Sequence, residues 1–145
     1  SGFLINLIIL SVIPAFSEEL FFRGILQKIF IGLFKNNIVG IIITSIIFGI
    51  LHFQIDNLLS IIFASILLGY IYDISKNIFN TIILHFCFNL FSLMCMQGLK
   101  FNYITEYQLD FFGHYIIIPI GIILSVLIII NYFFWKNKEL FLSVD

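Results

Sequence analysis

The sequence predicts an all-α fold, a polytopic bundle of transmembrane helices. Of its 145 residues, 61% are hydrophobic and only 10% are charged, whereas a soluble domain carries about 25% charged residues. The apolar residues fall into long runs, and about 20 of them in a row span the hydrocarbon core of a bilayer. Only helices and closed barrels satisfy their backbone hydrogen bonds in lipid. We therefore expect a multi-pass protein of the cell membrane, with the lipid bilayer as its surroundings.

Five apolar segments account for the helices. The first, Phe3–Phe34, is longer than one crossing needs. Pro14 is expected to kink it, because proline lacks a backbone donor and clashes with the preceding turn. The other four segments are Ile38–Phe53, Leu58–Ser75, Ile78–Met96 and Tyr115–Trp135. Short connections join the first four segments, so neighbours should pack antiparallel, and residues 98–113 should form an interfacial loop.

Domain organisation and charge exclude some classes of protein. No repeat or linker divides the sequence, which predicts a single domain over residues 1–145. The net charge is −1 and no basic patch occurs, so we expect no nucleic-acid partner. The two cysteines, Cys87 and Cys95, lack the spacing of a metal knuckle and are expected to be packing residues.

The stretch "SEELFFRG", residues 17–24, places charges inside an apolar segment. A charged side chain at a helix centre in lipid costs about 2.5–3.5 kcal/mol, so these charges require a reason. Glu19 and Arg23 lie four residues apart on one helix face and can pair. Arg23 is the only arginine among seven basic Lys and Arg residues, which indicates that its two-pronged donor geometry is needed. Glu18 is rotated by about 100° and lacks an evident ion partner, as expected of a general base.

A plainer interpretation of this stretch stays open from the residues alone. Ser17 would be the N-cap of a helix that begins after a break at Pro14. Glu18 and Glu19 would then complement the helix dipole at the membrane interface, and Arg23 would form a surface pair.

Two histidines and an asparagine supply further polar groups. His52 ends the second segment, one turn after Phe48. His85 and Asn89 lie four residues apart in the fourth segment, and Thr81 and Ser92 extend them into a polar stripe. A single histidine in a membrane helix is often a packing residue. Two histidines, together with an amide and a carboxylate pair, favour a functional site.

A count of residues along the helices predicts which groups meet. If the chain turns near Lys35, Glu18 lies 17 residues before the turn and His52 lies 17 after it. Antiparallel helices would bring these two side chains to the same depth. By the same count, His85 and Asn89 lie about 8–14 Å away in depth unless helix tilt compensates. The count therefore predicts Glu18 beside His52, and it permits His85 and Asn89 to join them.

Three short motifs resemble those of a known family. "EELFFR" fits E-E-x-x-x-R, "FGILH" fits F-x-x-x-H and "HFCFN" fits H-x-x-x-N, in that order. These are the motifs of the CAAX protease and bacteriocin-processing (CPBP) family, also called Abi proteins or type II CAAX prenyl endopeptidases. The resemblance covers about residues 10–92. Members of this family usually carry further transmembrane helices before the first motif, so such helices are expected upstream of this chain.

The resemblance implies a glutamate-dependent intramembrane endopeptidase that uses no metal and no cofactor. Its expected partner is a peptide or membrane-protein substrate. By similarity, Glu18 and His52 would activate water. His85 and Asn89 would donate hydrogen bonds to the oxyanion. Glu19 and Arg23 would support the site electrostatically.

Other classes of function stay open. A zinc protease would use Glu18, His52 and His85 as ligands, but the sequence has no H-E-x-x-H motif, and Asn89 and Arg23 would have no role in the zinc shell. A non-catalytic bacteriocin immunity protein or membrane scaffold would keep the fold without turnover. A proton-coupled transporter would also place Glu and His in the membrane, although the sequence shows no internal symmetry.

Overall fold

The computed structural model describes residues 2–112, and these form helices and short connections without a strand. The helices are α1 (Gly2–Phe34), α2 (Asn37–Leu51), α3 (Leu58–Ser75), α4 (Ile78–Lys100) and α5 (Glu106–Phe112). By length and composition α1, α3 and α4 can each cross a membrane, whereas α2 is a shorter apolar helix. The predicted all-α transmembrane fold is confirmed. The predicted segment Tyr115–Trp135 lies outside the described residues.

The chain divides into two compact units, residues 1–96 and residues 97–145, with the boundary inside α4. In the second unit, the predicted interfacial loop is partly helical, because α4 continues to Lys100 and α5 follows. Thr105 caps α5, since its hydroxyl oxygen accepts a hydrogen bond from the Gln108 backbone N–H. The single domain predicted over residues 1–145 stays a prediction.

Helix α1 continues through Pro14 instead of breaking there. The two residues before the proline keep helical backbone angles, with φ −73° at Val12 and −61° at Ile13, and the α-helical stretch that starts at Ile13 runs on to Phe21. Just before the proline, Ile8–Val12 is π-helical, and the Ile13 N–H donates to the carbonyl of Ile8. A π turn holds more residues than an α turn, so the prolyl ring is accommodated without ending the helix. The 33 residues extend over about 50 Å at 1.5 Å per residue.

Side-chain contacts fix the directions of the first four helices. Contacts of α1 with α2 join residues 18 and 52, 22 and 48, and 31 and 40, so these two helices are antiparallel. Contacts of α3 with α1 join residues 23 and 65, and 27 and 69, so these two are parallel. Helix α4 approaches α1 through His85 at Glu19 and Ile78 at Gly24, which makes it antiparallel to α1. The predicted antiparallel packing of sequence neighbours is confirmed for α1 with α2.

The turns at one end of the bundle show how the sequence ends its helices. Lys35 and Lys76 adopt left-handed backbone angles that terminate α1 and α3. Asn36 then caps α2 by accepting from the backbone N–H groups of Ile38 and Val39. Close by, the Asn37 amide donates to both carboxylate oxygens of Asp73, at 3.0 and 2.9 Å. These contacts hold the start of α2 against the end of α3.

One glycine allows α1 and α2 to pack closely. A Cβ atom on Gly40 would lie 2.5 Å from Cγ1 and 2.8 Å from the backbone nitrogen of Ile31. Small residues at such positions let membrane helices approach one another. The close approach brings the C-terminal half of α1 against α2, where the buried polar residues lie.

Candidate active site

A stripe of buried residues on α1 forms one wall of the site. It comprises Ser11, Ala15, Glu19, Arg23 and Gln27, none more than 1% exposed. On a regular α-helix, residues four apart drift by about 40° at each step, so five of them would leave a single face. The π-helical turns at Ile8–Val12 and Phe22–Leu26 add residues per turn and offset this drift. They keep the stripe facing the other helices.

Arg23 and Glu19 form a fully buried ion pair. Nη1 of Arg23 donates to Oε1 of Glu19 at 2.8 Å, and both side chains are 0% exposed. Nη2 donates to the carbonyl oxygen of Ser65 at 2.8 Å and to its hydroxyl at 2.9 Å. The predicted pairing is confirmed. The two terminal nitrogens of the guanidinium, however, bind groups on two helices, Glu19 of α1 and Ser65 of α3, rather than the two oxygens of one carboxylate.

The surface interpretation of this stretch is wrong. Ser17 lies inside a continuous helix, where its hydroxyl donates to the carbonyl of Ile13 at 2.8 Å, so it is not an N-cap. Arg23 and Glu19 lie in the protein interior rather than at a surface. An ion pair withdrawn from water in this way needs further hydrogen bonds to be stable, and Ser65 and His85 supply them.

His52 lies beside Glu18, as the count of residues along the two helices predicts. Its Nε2 atom is 3.9 Å from Oε2 of Glu18, and the two side chains are 29% and 30% exposed. Its Nδ1 atom is 2.7 Å from the carbonyl oxygen of Phe48, one turn earlier in α2. A carbonyl only accepts hydrogen bonds, so Nδ1 carries a proton. In the neutral ring Nε2 is then an acceptor and faces the carboxylate.

His85 contacts both carboxylates. Its Nδ1 atom is 2.9 Å from Oε1 of Glu19, and its Nε2 atom is 3.7 Å from Oε2 of Glu18. The count of residues along the helices only permitted this approach. In the structure the His85 side chain lies against both Glu18 and Glu19. Glu19 is paired with Arg23 and therefore accepts, so Nδ1 of His85 is also a donor.

The aromatic ring of Phe48 packs at the centre of these groups. Its centroid is 4.8 Å from that of Phe22, 4.4 Å from that of His52 and 5.9 Å from that of His85. The guanidinium carbon of Arg23 lies 5.1 Å from the same centroid, within cation–π distance. Phe48 thus limits the rotation of both imidazole rings and covers the buried ion pair.

The polar stripe predicted on α4 is only partly buried. Thr81 is buried and donates to the carbonyl of Ile78, while Ser92 is exposed. Asn89 is half-buried one turn after His85 and makes no hydrogen bond to any residue in the range 2–112. Its amide is therefore uncommitted within this range, and Ser92, which is exposed, does not lie with the buried residues.

The site presents several hydrogen-bond acceptors to one region. Oε2 of Glu18 is buried and has no hydrogen-bond partner within the described part of the chain. It faces Nε2 of His52, which is an acceptor in the neutral ring, and Nε2 of His85, which accepts in a neutral ring and donates in a ring that carries both protons. A molecule that donates two protons, such as water, complements this arrangement. Across residues 2–112, no group of three or more His, Cys, Asp or Glu side chains is placed to hold a metal ion.

A comparison with protein families agrees with these motifs. The family model Type II CAAX prenyl endopeptidase Rce1-like matches residues 1–91, which is more than half of the chain. The chain belongs to this family. It is therefore a CAAX-type membrane endopeptidase, a hydrolase, and the matched range includes every predicted site residue from Glu18 to Asn89. No curated protein and no solved structure matches this sequence.

Two polar residues of this CAAX-type endopeptidase were missed by sequence reasoning, Gln27 and Ser65. Gln27 continues the series Glu19, Arg23 by four more residues, which is the signal that could have found it. Ser65 precedes Gly69 by four residues, and small residues at this spacing are typical of close contacts between membrane helices.

Proposed function

We propose that this chain is a metal-independent glutamic endopeptidase that hydrolyses a peptide bond in a membrane-associated peptide or protein. One observation carries the proposal: Oε2 of Glu18 faces ring nitrogens of two histidines from two other helices, at 3.7 and 3.9 Å. A carboxylate whose Oε2 atom is buried and faces two imidazoles is suited to accept a proton from water.

In this proposal Glu18 and His52 activate the attacking water. The water donates hydrogen bonds to Oε2 of Glu18 and Nε2 of His52, which directs an oxygen lone pair towards the substrate carbonyl carbon. As the new C–O bond forms, one proton passes to Glu18. When the C–N bond breaks, Glu18 returns this proton to the leaving amine. The carboxylate is regenerated in each cycle, so no other reactant than water is consumed.

His85 and Asn89 stabilise the oxyanion in this scheme. Nδ1 of His85 is committed to Glu19, so Nε2 can donate only when the ring carries both protons. A protonated His85 with Arg23 balances the charges of Glu18 and Glu19, and a neutral cluster is favoured in a medium of low dielectric. The uncommitted amide of Asn89, one turn away, supplies the second donor.

A direct test uses the full-length protein in lipid nanodiscs. An internally quenched peptide that ends in a farnesylated CAAX sequence, and the same peptide without the lipid, serve as reporters. Comparative peptidomics of membranes expressing the wild type or Glu18→Gln covers substrates of other sequence. We expect cleavage products that depend on Glu18 in at least one of these three assays. Identical product profiles for the two proteins would contradict catalysis and support a non-catalytic immunity or scaffold role.

A further inference from the structure

Helix α3 is joined to the site by a pair of buried hydrogen-bonded contacts. Arg23 donates through Nη2 to both the carbonyl and the hydroxyl of Ser65. One turn along both helices, Nε2 of Gln27 donates to the carbonyl of Gly69 at 3.0 Å. Arg23, Gln27 and Ser65 are no more than 1% exposed. Because residues 23 and 65 are offset by the same 42 positions as residues 27 and 69, the two contacts fix one register between the helices.

These contacts determine how the guanidinium is oriented. With Nη2 bound to Ser65, Nη1 is directed at Oε1 of Glu19, and the same oxygen accepts from Nδ1 of His85. The ring of Phe48 covers the guanidinium at 5.1 Å. A chain of hydrogen bonds thus runs from Ser65 through Arg23 and Glu19 to His85. In a low-dielectric interior, each bond in such a chain polarises the next.

We infer that Ser65 is a positioning residue for His85. Its two oxygens hold Arg23 so that Glu19 presents Oε1 to the imidazole, and this keeps Nδ1 a donor and Nε2 directed towards Glu18. Ser65 contacts neither the water nor the substrate in the proposed reaction. The catalytic part of this inference rests on the proposed function of His85, whereas the structural part, the effect of Ser65 on the ring, does not.

Gly69 lets the second contact form at the correct separation. A Cβ atom at this position would lie 2.9 Å from Oε1 of Gln27 and 3.0 Å from Cγ2 of Ile41. An alanine would therefore displace the Gln27 amide and press on the Ile41 side chain of α2. Loss of the Gln27 contact would remove one of the two contacts that fix the register of the Arg23–Ser65 pair one turn away.

The test compares Ser65→Ala and Ser65→Cys with the wild type and with Ser60→Ala. Cysteine nearly preserves the volume of serine but is a weak acceptor, and Ser60 is an exposed serine on the same helix. The NMR signals of the ring nitrogens are recorded on 15N-histidine-labelled protein in micelles. The sequence has three histidines, so the His85 signals are identified as those that remain when His52→Gln and His114→Gln remove the other two. The melting temperature is measured for every variant.

We expect the His85 ring signals to shift in Ser65→Ala and in Ser65→Cys, with faster solvent exchange of the Nδ1 proton. Ser60→Ala should match the wild type. On the cleaved reporter, kcat should fall about tenfold with KM nearly unchanged, because a hydrogen bond to a charged group is lost. Gly69→Ala should shift the same signals, whereas Gly32→Ala, where a Cβ meets no atom within 4 Å, should not.

The outcomes separate this inference from the proposed function. Unchanged His85 signals in both Ser65 variants would overturn the inference, even if their melting temperatures fell. A shift in Ser65→Ala but not in Ser65→Cys would also overturn it, because side-chain volume rather than the hydroxyl would be the cause. Shifted His85 signals in a protein without Glu18-dependent cleavage would support the hydrogen-bond chain and remove only the catalytic role.

Discussion

Oε1 of Glu19 accepts a hydrogen bond from Nδ1 of His85 at 2.9 Å, although 66 residues separate the two. The same oxygen accepts from Arg23 at 2.8 Å. Glu19 therefore links the only arginine of the chain to the histidine that approaches Glu18. This contact gives the two adjacent carboxylates different surroundings: Glu19 is fully buried and hydrogen-bonded by donors from two helices, whereas Glu18 is partly exposed and faces two ring nitrogens.

Glu18→Gln should abolish cleavage while the protein still folds. Glutamine keeps the shape but cannot accept the proton from water, and loss of a general base typically lowers turnover by about 10²–10⁴-fold. The melting temperature in detergent should stay the same or rise, since an amide is easier to desolvate than a carboxylate. Cleavage of the reporter peptides and a thermal melt are the measurements, with Glu106→Gln, at an exposed glutamate, as the control. Full activity in Glu18→Gln would show that another group is the base.

Glu19→Gln should act chiefly on stability. It leaves Arg23 buried without its carboxylate, and breaking a buried pair in this way costs about 3–5 kcal/mol. We expect poor accumulation in membranes and a lowered melting temperature, with partial activity in the folded fraction. If Glu19→Gln folds normally and is inactive while Glu18→Gln cleaves well, the roles of the two carboxylates are reversed.

Arg23→Lys should resemble Glu19→Gln. An ammonium is a single point of charge and cannot reach both the Glu19 carboxylate and the two oxygens of Ser65. Accumulation and melting temperature measure the effect, and Lys28→Arg at an exposed position of the same helix is the matched control. A stable Arg23→Lys protein would mean that positive charge alone suffices at this position.

His85→Ala and Asn89→Ala should lower kcat far more than they raise KM. Oxyanion donors act mainly in the transition state, and removal of one typically costs about 10²–10³-fold in kcat. Steady-state kinetics on a cleaved reporter separates the two parameters. If KM rises and kcat is unchanged, these residues position the substrate instead.

Cleavage by the purified protein should survive EDTA and 1,10-phenanthroline. In the proposed reaction Glu18 and His52 activate water directly, so a chelator removes nothing that the reaction uses. Activity is measured before and after incubation with chelator, and again after zinc is added. Loss of activity that zinc restores would favour the alternative in which Glu18, His52 and His85 bind the metal.

The sequence by itself determined the all-α transmembrane fold, the pairing of Glu19 with Arg23 and the approach of His52 to Glu18. These predictions follow from local rules. The length of each apolar run predicts a membrane-spanning helix, and the spacing of four residues predicts the contact between Glu19 and Arg23. The short turn at Lys35 places Glu18 and His52 at the same depth in the membrane, because both helices rise by the same distance per residue from that turn. Each of these predictions depends on one helix or on two helices joined by a short connection.

Only the tertiary structure decided that α1 passes through Pro14 unbroken, that Arg23 divides its donors between Glu19 and Ser65, and that His85 meets both carboxylates. The first depends on the π turn at Ile8–Val12, which the pattern of apolar residues does not indicate. The other two depend on the register of α3 and α4 against α1. Each of these helices is apolar around most of its surface, so hydrophobic periodicity does not specify which face meets α1. The buried hydrogen bonds of Arg23, Gln27 and His85 specify it, because a polar group left unpaired in lipid costs several kcal/mol.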